Sequence, residues 1–214
     1  MIVRRLIAHA KNGFRLFAVL MLLLGVVVPL VFTAVSQVIF HSAANGSLIV
    51  QKDKTIGSEL IGQEFSSNKY FWGRLSATTP PYNAAASASS NLSFSNVKII
   101  EQANERLGAL KGQGKTPLAL ITASASGLDP HLSASAVRYQ IPRVAKARHM
   151  SLEKLEQLLA AHIESPHLGF IGIERVNILQ LNLALDALSV SSRTSSEGSL
   201  QRCLTCVRHD KDIL

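Results

Sequence analysis

The sequence predicts a small mixed domain of helices and strands, of the α/β or α+β class, anchored by one N-terminal transmembrane helix. Three observations predict this fold. A long uncharged apolar run begins at Leu16, helical periodicities alternate with extended stretches farther along the chain, and only 17% of the residues are charged. Low charge is typical of a chain that lies partly in lipid, and 214 residues suffice for one domain with appendages.

The apolar run extends from Leu16 to Phe40 and is interrupted only by Thr33, Ser36 and Gln37. Its 25 residues exceed the length that a helix needs to cross the hydrocarbon core. A cleaved signal peptide is the alternative. Its apolar region is about 7–15 residues long with a small-residue cleavage site close behind, and only Ser42-Ala43-Ala44 resembles such a site. The length therefore favours an uncleaved anchor.

The formal net charge of +8 raises the question of nucleic-acid binding, but its distribution speaks against that class of partner. Residues 52–189 carry 14 basic and 11 acidic side chains, a net charge of only +3. Four cations precede the apolar run with no acid opposing them: Arg4, Arg5, Lys11 and Arg15. Cations beside a membrane segment are retained in the cytoplasm. The N-terminus is therefore predicted to be cytoplasmic.

This topology divides the chain into four parts. Residues 1–15 form a basic cytoplasmic N-terminus, and residues 16–40 form the transmembrane helix. Residues 41–189 form an extracytoplasmic domain. Residues 190–214 form a serine-rich tail of mixed charge, which is predicted to be loose.

Extended pieces and turns are predicted in the first part of the exported domain. Residues 41–56 form a connector with a turn at Asn45-Gly46. Short extended pieces are expected around residues 59–65 and 70–76. An apolar run from Leu118 to Ala123 lies between Pro117 and Ser124, which predicts a buried strand.

Helices are predicted over four stretches. The first extends from Asn96 to Leu110, with Ser95 as its cap, and the positions at near-3.6 spacing are Val97, Ile100, Asn104, Leu107 and Leu110. The second begins after Ser133 and continues to Gln140, where Pro142 limits or kinks it. The third opens at Ser151 with a leucine stripe that continues to Ile163. The fourth covers residues 178–188, with Asn177 as its cap.

The stretch SASGLDPHLS carries the residue types of a serine hydrolase: Ser124, Ser126, Asp129 and His131. Such chemistry needs a serine on a strained turn and a histidine within hydrogen-bond reach, and no Gly-x-Ser-x-Gly elbow is present. Because the residue types are present but the elbow is not, a membrane-tethered serine hydrolase is kept only as the alternative function. The favoured interpretation is structural, with Asp129 holding a tight turn against Arg143 or Arg175.

Two further features have modest interpretations. Four cations between Asp129 and Glu153 are unopposed by acids, which is typical of a solvated helix face or of a surface for anionic partners: Arg138, Arg143, Lys146 and Arg148. Cys203 and Cys206 form a single CxxC, which lacks the second half of a zinc site. No metal site and no firmly bound cofactor are predicted.

Five blocks of sequence, taken in order and spacing, resemble the C subunit of the Kdp-type potassium-transporting ATPase. They are GSELIGQEF (57–65), YFWGRLSA (70–77), TASASGLDPHLS (122–133), YQIPRVAKAR (139–148) and IERVNILQLNLALD (173–186). Together with the single membrane segment, the resemblance covers about residues 10–188. The tail lies outside it.

The resemblance implies a high-affinity potassium uptake complex in the bacterial inner membrane. In that complex a channel-like A subunit binds potassium, a P-type B subunit hydrolyses ATP, and a small F peptide assists. For this chain it implies an accessory subunit without a catalytic site, which supports assembly. It also implies a catalytic chaperone that raises the affinity of the B subunit for ATP, so that contact with ATP is expected only through the resemblance.

Residues carried over as partner-contacting or nucleotide-assisting candidates are Gln63, Arg74, Asn91, Ser124, Ser126, Gly127, Asp129, Arg143, Arg148, Arg175 and Asn177. The sequence departs from the family pattern at Leu75, Ala88, Ser89, Ala119 and Ala125, where the family has proline, two glycines, aspartate and glycine. Alanine lacks the conformational freedom of glycine. In the membrane, small and polar residues are the expected helix contacts: Gly25, Thr33, Ser36 and Gln37.

Overall fold

A computed structural model of the chain describes residues 2–51, 53–93, 95–110, 115–166 and 168–188. The N-terminal part is one continuous helix in three sections: α1 (Ile2–Leu22), a π-helical segment (Leu23–Val27) and α2 (Val28–Ile39). Within it, His9–Ile39 is long and apolar enough to cross a membrane, and its most apolar window is 0% buried by the rest of the protein. This one candidate span fits a single-pass membrane subunit.

A short connector follows the long helix. It consists of α3 (His41–Ala44) and an antiparallel hairpin of β1 (Leu48–Gln51) and β2 (Lys54–Ser58). The predicted turn at Asn45-Gly46 is confirmed, with Gly46 at φ +85°. The hairpin was not predicted. The Ser58 hydroxyl donates to the Gly46 carbonyl at 2.7 Å, which ties the end of the hairpin to its beginning.

The chain divides into two compact units, Met1–Ser58 and Glu59–Leu214. The described part of the second unit mixes helices with short strands, which confirms a mixed fold. Its helices are α4 (Val97–Leu110), α5 (Ala134–Arg148), α6 (Leu152–Ala161) and α7 (Ile178–Leu188). Its strands are β3 (His131–Leu132), β4 (Ile163–Glu164) and β5 (Arg175–Asn177).

The three strands form one antiparallel sheet in the order β3-β5-β4. Leu132 and Ile163 both pair with Val176 of the central strand, and Val176 is fully buried. The α-helices supply most of the core around it, through Val137 and Val144 of α5, Leu155 and Leu159 of α6, and Leu181 and Leu185 of α7. Val176 of the sheet and these helical side chains thus belong to one hydrophobic core.

Helix α4 confirms the first predicted helix but presents a different face to the core. Val97 and Ile100 are 65% and 55% exposed, while the less exposed positions are Ile99, Ala103 and Arg106 together with buried Leu110. Asn96, not Ser95, caps the helix, because its side-chain oxygen accepts from the Lys98 N–H at 3.0 Å. The sequence of α4 places apolar residues on two faces of the helix. Tertiary packing decides which of the two faces is buried.

Helix α5 continues past the predicted end at Gln140 to Arg148, with Pro142 inside it. A proline removes one backbone donor from a helix interior. Buried side chains on both sides of it, Ile141 and Val144, hold the helix against the core and offset that loss. Ser133 occupies the N-cap position as predicted, but its hydroxyl lies 3.2 Å from that of Ser135 and does not bond to the helix backbone.

The predicted strand at Leu118–Ala123 is wrong. A 3₁₀ turn occupies Leu118–Leu120, and both the N–H and the hydroxyl of Thr122 donate to the Leu118 carbonyl. Only Ala123 makes a bridge, parallel to Leu75. A strand needs a partner strand along its whole length. Here the N–H groups of Leu120, Ile121 and Thr122 donate to nearby carbonyls instead. The extended pieces around residues 59–65 and 70–76 form no strand beyond that bridge.

The last two predicted helices are confirmed as α6 and α7, but α6 ends at Ala161, and Ile163, the predicted end of its apolar stripe, begins β4. Ser151 occupies the N-cap position of α6, whose Leu155 and Leu159 are buried. The Asn177 side-chain oxygen accepts from the N–H groups of Leu179 and Gln180, so it caps α7 as predicted. The tail of residues 190–214, with Cys203 and Cys206, lies outside the described residues.

Candidate functional site

The loop of residues 124–130 crosses a second irregular segment, and a glycine permits the crossing. Gly127 has φ +68°, and a Cβ atom there would lie 2.7 Å from Thr78 Cγ2 and 2.8 Å from the Ala88 carbonyl oxygen. The Ser76 hydroxyl donates to the Gly127 carbonyl at 2.7 Å. Both the backbone conformation and the lack of space therefore require glycine.

Asp129 holds this loop, but not through the predicted partners. One carboxylate oxygen accepts from Arg74 at 3.3 Å and the other from the His131 N–H at 3.0 Å. Arg74 also donates to the Ala123 carbonyl. Arg143 and Arg175 bond elsewhere. The prediction that Asp129 fixes a turn is thus correct. The predicted partners Arg143 and Arg175 are wrong, because the partner is Arg74, 55 residues earlier in the chain.

Tyr82 extends the same block of hydrogen bonds. Its hydroxyl donates to the Arg74 carbonyl at 2.6 Å, and its N–H donates to the Ser76 hydroxyl. Burial raises the pKa of Tyr82 to about 12, because an ionised phenolate would lose hydration. The phenol is therefore a neutral donor at physiological pH.

The geometry does not support the hydrolase alternative. Ser124 is 3% exposed, and the Ser126 hydroxyl accepts from the Leu128 N–H at 3.1 Å. The His131 ring lies 3.8 Å from Asp129 and 3.9 Å from Glu164. Within the described residues no hydrogen bond joins His131 to either serine. An activated nucleophile needs such a contact with its base.

Two predicted site arginines hold a backbone segment instead of facing solvent. Arg143 donates to the carbonyls of Asn68 and Tyr70 at 3.0 and 3.1 Å. Arg148 donates to the Lys69 carbonyl at 2.6 Å and to Asp186 at 2.7 Å. The surface for anionic partners predicted from the cationic run therefore loses two of its four members to internal contacts.

Trp72 is stacked by two guanidinium groups. The carbon centres of Arg143 and Arg106 lie 4.1 and 4.6 Å from its ring centroid. Burial, aided by repulsion from Arg106, lowers the pKa of Arg143 to about 10. Burial also lowers the pKa of Arg106. The indole face compensates part of the lost hydration, and both arginines stay charged at neutral pH.

The remaining candidates lie apart from one another. Arg175, on the central strand β5, pairs with Glu164 of β4 at 2.8 Å, and both side chains are partly exposed. The Asn177 side-chain N–H donates to the Glu59 carbonyl while its oxygen caps α7. Asn91 is exposed with φ +49°, and Gln63 is half-buried. The structure thus brings together Arg74, Ser124, Ser126, Gly127 and Asp129 but not the rest.

The predicted membrane contacts have unequal outcomes. The Thr33 hydroxyl donates to the Pro29 carbonyl at 2.8 Å, one turn earlier in the same helix. Gln37 exchanges hydrogen bonds with the Asn45 side chain. Gly25 has no atom within 4 Å of the position of a Cβ. Gly25 and Ser36 therefore keep their place as candidates for helix contact, while Thr33 and Gln37 already have internal partners.

Comparison with known proteins identifies the chain. The family described as "K+-transporting ATPase, c chain" matches residues 10–187. The chain belongs to this family. It is 50% identical over 178 residues to the potassium-transporting ATPase KdpC subunit of Burkholderia orbicola strain MC0-3, covering 80% of this chain and 92% of that protein.

Two further relatives carry the same description. The KdpC subunit of Paraburkholderia xenovorans strain LB400 is 46% identical over 188 residues, covering 83% of this chain and 98% of its own length. That of Polaromonas naphthalenivorans strain CJ2 is 50% identical, covering 81% and 91%. This chain is therefore a KdpC-type subunit of a potassium-transporting ATPase.

The positions expected to depart from the family pattern have local contacts in the structure. The Ala88 N–H donates to the Ser126 carbonyl at 3.1 Å, and the Ser87 hydroxyl donates to the same oxygen, so this segment reaches the loop without the two glycines. The Leu75 carbonyl accepts from Ser124. Ala119 packs against the core, and Ala125 is exposed.

One cavity, beside Ser90, does not offer a phosphate group converging free donors. This cavity has a volume of about 330 Å³ and lies next to the segment that contains Ala88 and Ser89. Its polar lining residues are Ser76, Ser90, Gln102, Glu105 and Arg106. Arg106 is directed to the carbonyls of Leu120 and Gly73 and to the Trp72 ring. A triphosphate needs several free donors that point to the same place. In this cavity the guanidinium of Arg106 is already bonded, and the Glu105 carboxylate would repel a phosphate.

Two residues that were not among the predicted site residues hold the backbone of residues 71 and 72, just before Arg74. Gln140 accepts from the Trp72 N–H at 2.8 Å and donates to the Trp72 carbonyl at 3.0 Å. Asn182 makes the same pair of bonds to Phe71, both at 2.9 Å. Each is an amide at a core position of an apolar helix face. That pattern is the signal that could have found them.

Proposed function

We propose that this chain is the accessory, non-catalytic subunit of an ATP-driven potassium uptake complex, with its N-terminus in the cytoplasm and residues 41–189 outside. Its role is to support assembly with a channel-like subunit, an ATP-hydrolysing P-type subunit and a small F peptide. Family membership supports the complex, and ATP hydrolysis is left to the partner. Potassium is handled by the channel-like subunit.

One observation carries this proposal. The polar groups that the family pattern points to are engaged within the chain: Arg74 with Asp129, Arg143 and Arg148 with the backbone of residues 68–70, and Asn177 with α7. The one candidate span, by contrast, is 0% buried. Within the described residues these polar groups serve the fold, and the membrane helix is exposed along its length, which suits a structural subunit better than an enzyme.

Co-purification tests the assembly role. The full chain, tagged at its C-terminus, is expressed with the other subunits, extracted in mild detergent and captured by the tag. The larger subunits should be retained and potassium-limited growth supported. Gln157→Ala, at an exposed position of α6, is the matched control and should change neither result. Capture of the chain alone, together with growth that survives its deletion, would contradict the proposal.

Labelling tests the orientation. In a Cys203→Ser, Cys206→Ser background, Ala125→Cys places a thiol at an exposed position. A membrane-impermeant maleimide should label it in intact spheroplasts. Ile7→Cys, which precedes the candidate span His9–Ile39, should be labelled only after lysis. The reverse pattern would place the domain in the cytosol and make direct contact with ATP the better explanation.

A further inference from the structure

The candidate membrane span contains a widened turn near its centre. Leu23–Val27 is π-helical, inside the span His9–Ile39. Isolated π turns inside α-helices break the regular pairing of backbone donors and acceptors, and they occur frequently at functional sites. Pro29 follows at the start of α2. The π-helical segment and Pro29 both change which backbone N–H groups can reach the carbonyls of the preceding turn.

Backbone accounting leaves the carbonyl of Leu24 without a donor. The Val28 N–H donates to the Leu23 carbonyl, five residues earlier. In this register the next donor, the N–H of residue 29, would serve the Leu24 carbonyl. Residue 29 is proline and has no N–H. The Leu24 carbonyl is therefore left without a backbone donor in the middle of the span.

Within the described residues, no other group near this carbonyl supplies that donor. Residues 16–32 include no side chain with an N–H or O–H group, and the first one beyond them, Thr33, donates to the Pro29 carbonyl. Lipid tails offer no donor, and an unsatisfied carbonyl in hydrocarbon is costly. The neighbour, Gly25, leaves the site open, since no atom lies within 4 Å of its Cβ position.

We propose that the Leu24 carbonyl, reached through the gap at Gly25, accepts a hydrogen bond from a side-chain donor on a membrane helix of another subunit of the same ATPase. The donor is a hydroxyl, a carboxamide or an indole N–H, because these groups bridge membrane helices. This inference rests on the proposed assembly role. It adds the atom in the membrane at which the contact is made.

A second copy of this chain does not fit the acceptor. In a parallel pair aligned in register, Leu24 faces Leu24. The nearest side-chain donors, Arg15 and Thr33, are each nine residues away, which is about 13.5 Å along a helix that rises about 1.5 Å per residue. The donor must therefore come from a different sequence, and a larger membrane subunit of the complex is the partner that meets this condition.

Gly25→Leu in the full complex tests the contact, with Gly13→Leu as the matched control. Neither leucine meets an atom of the chain itself, because both glycines have nothing within 4 Å. We expect Gly25→Leu to reduce the co-extracted larger subunits about tenfold, equivalent to about 1.4 kcal/mol, while Gly13→Leu stays within about twofold. Equal yields for both would overturn the inference while leaving the assembly role intact. Failure of the wild type to capture any subunit would instead count against the assembly role.

Two further variants separate the hydrogen bond from packing. Pro29→Ala restores the missing N–H and satisfies the Leu24 carbonyl from within, so co-extraction should fall although Gly25 stays open. Gly25→Ala keeps the acceptor and adds only a methyl group, so it should fall less. A photo-reactive residue at position 24 should cross-link to a partner segment that contains a donor. Unchanged co-extraction with Pro29→Ala, or cross-links to lipid alone, would refute the hydrogen bond.

Discussion

Two irregular segments of the second unit differ in what surrounds them. The held segment, residues 68–76, contains Phe71 and Trp72, which are 0% and 6% exposed. The apolar loop, residues 168–174, contains Leu168, Phe170 and Ile173, which are 82%, 78% and 76% exposed. Both are rich in large apolar side chains. Hydrophobicity alone therefore does not decide which segment is buried.

The difference lies in partners for the backbone. Gln140 and Asn182 each pair with both backbone groups of one residue in the held segment. In the apolar loop, Gly169 and Gly172 have no atom within 4 Å of a Cβ position. An irregular segment can be buried only when its N–H and C=O groups are satisfied. Side chains supply that satisfaction in the first segment, and the second remains in solvent.

The largest expected effect comes from truncating one phenylalanine in each segment. Phe71→Ala should lower the free energy of unfolding by about 3–5 kcal/mol, because it empties a fully packed site. Phe170→Ala should change it by less than about 0.5 kcal/mol. Denaturant titration of the full chain in detergent, followed through the fluorescence of Trp72, measures both. Similar losses for the two variants would break the comparison.

Removing the amide of Gln140 tests the role of the backbone partners. Gln140→Leu keeps the volume but leaves the Trp72 N–H and carbonyl unsatisfied, so it should cost about 2–4 kcal/mol. Gln157→Leu is the control, since this residue lies exposed on α6. The same titration compares them. A stable Gln140→Leu variant would show that the held segment depends on apolar burial alone.

A smaller effect is expected at the arginines of the held segment. Arg148→Ala removes the bonds to the Lys69 carbonyl and to Asp186, and should cost about 1–2 kcal/mol. Arg138→Ala is the control, because its pair with Glu156 at 3.5 Å is half exposed and contributes about 0–0.5 kcal/mol. Thermal unfolding followed by circular dichroism should rank them in this order. The opposite order would assign Arg148 to the surface.

The smallest effect is expected at Asp129. Asp129→Asn retains an oxygen for the His131 N–H but loses the ion pair with Arg74, which is partly exposed. The loss should be about 0.5–1 kcal/mol and should shrink in high salt. Asp129→Ala removes both contacts and should cost more. Equal losses for the two variants would mean that the ion pair, not the turn, carries the whole contribution.

Local pattern was enough for several features of this chain. The span was predictable because crossing lipid needs only length and apolarity, which are properties of consecutive residues. The helices at Val97–Leu110, Leu152–Ala161 and Ile178–Leu188 were predictable from periodicity and from the cap at Asn177. The family was recognisable from five ordered blocks. None of these features depends on a contact between distant residues.

Tertiary structure decided the rest, because the deciding contacts join residues far apart in the chain. Asp129 pairs with Arg74 and not with Arg143 or Arg175, since folding brings together loops 55 residues apart. The run at Leu118–Ala123 became a 3₁₀ turn because no strand lay beside it to complete a ladder. By itself the sequence determined which segments are helical or membrane-spanning, as these follow from neighbouring residues. Which polar side chains serve the backbone was settled only when the packed core brought Gln140 and Asn182 to residues 71 and 72.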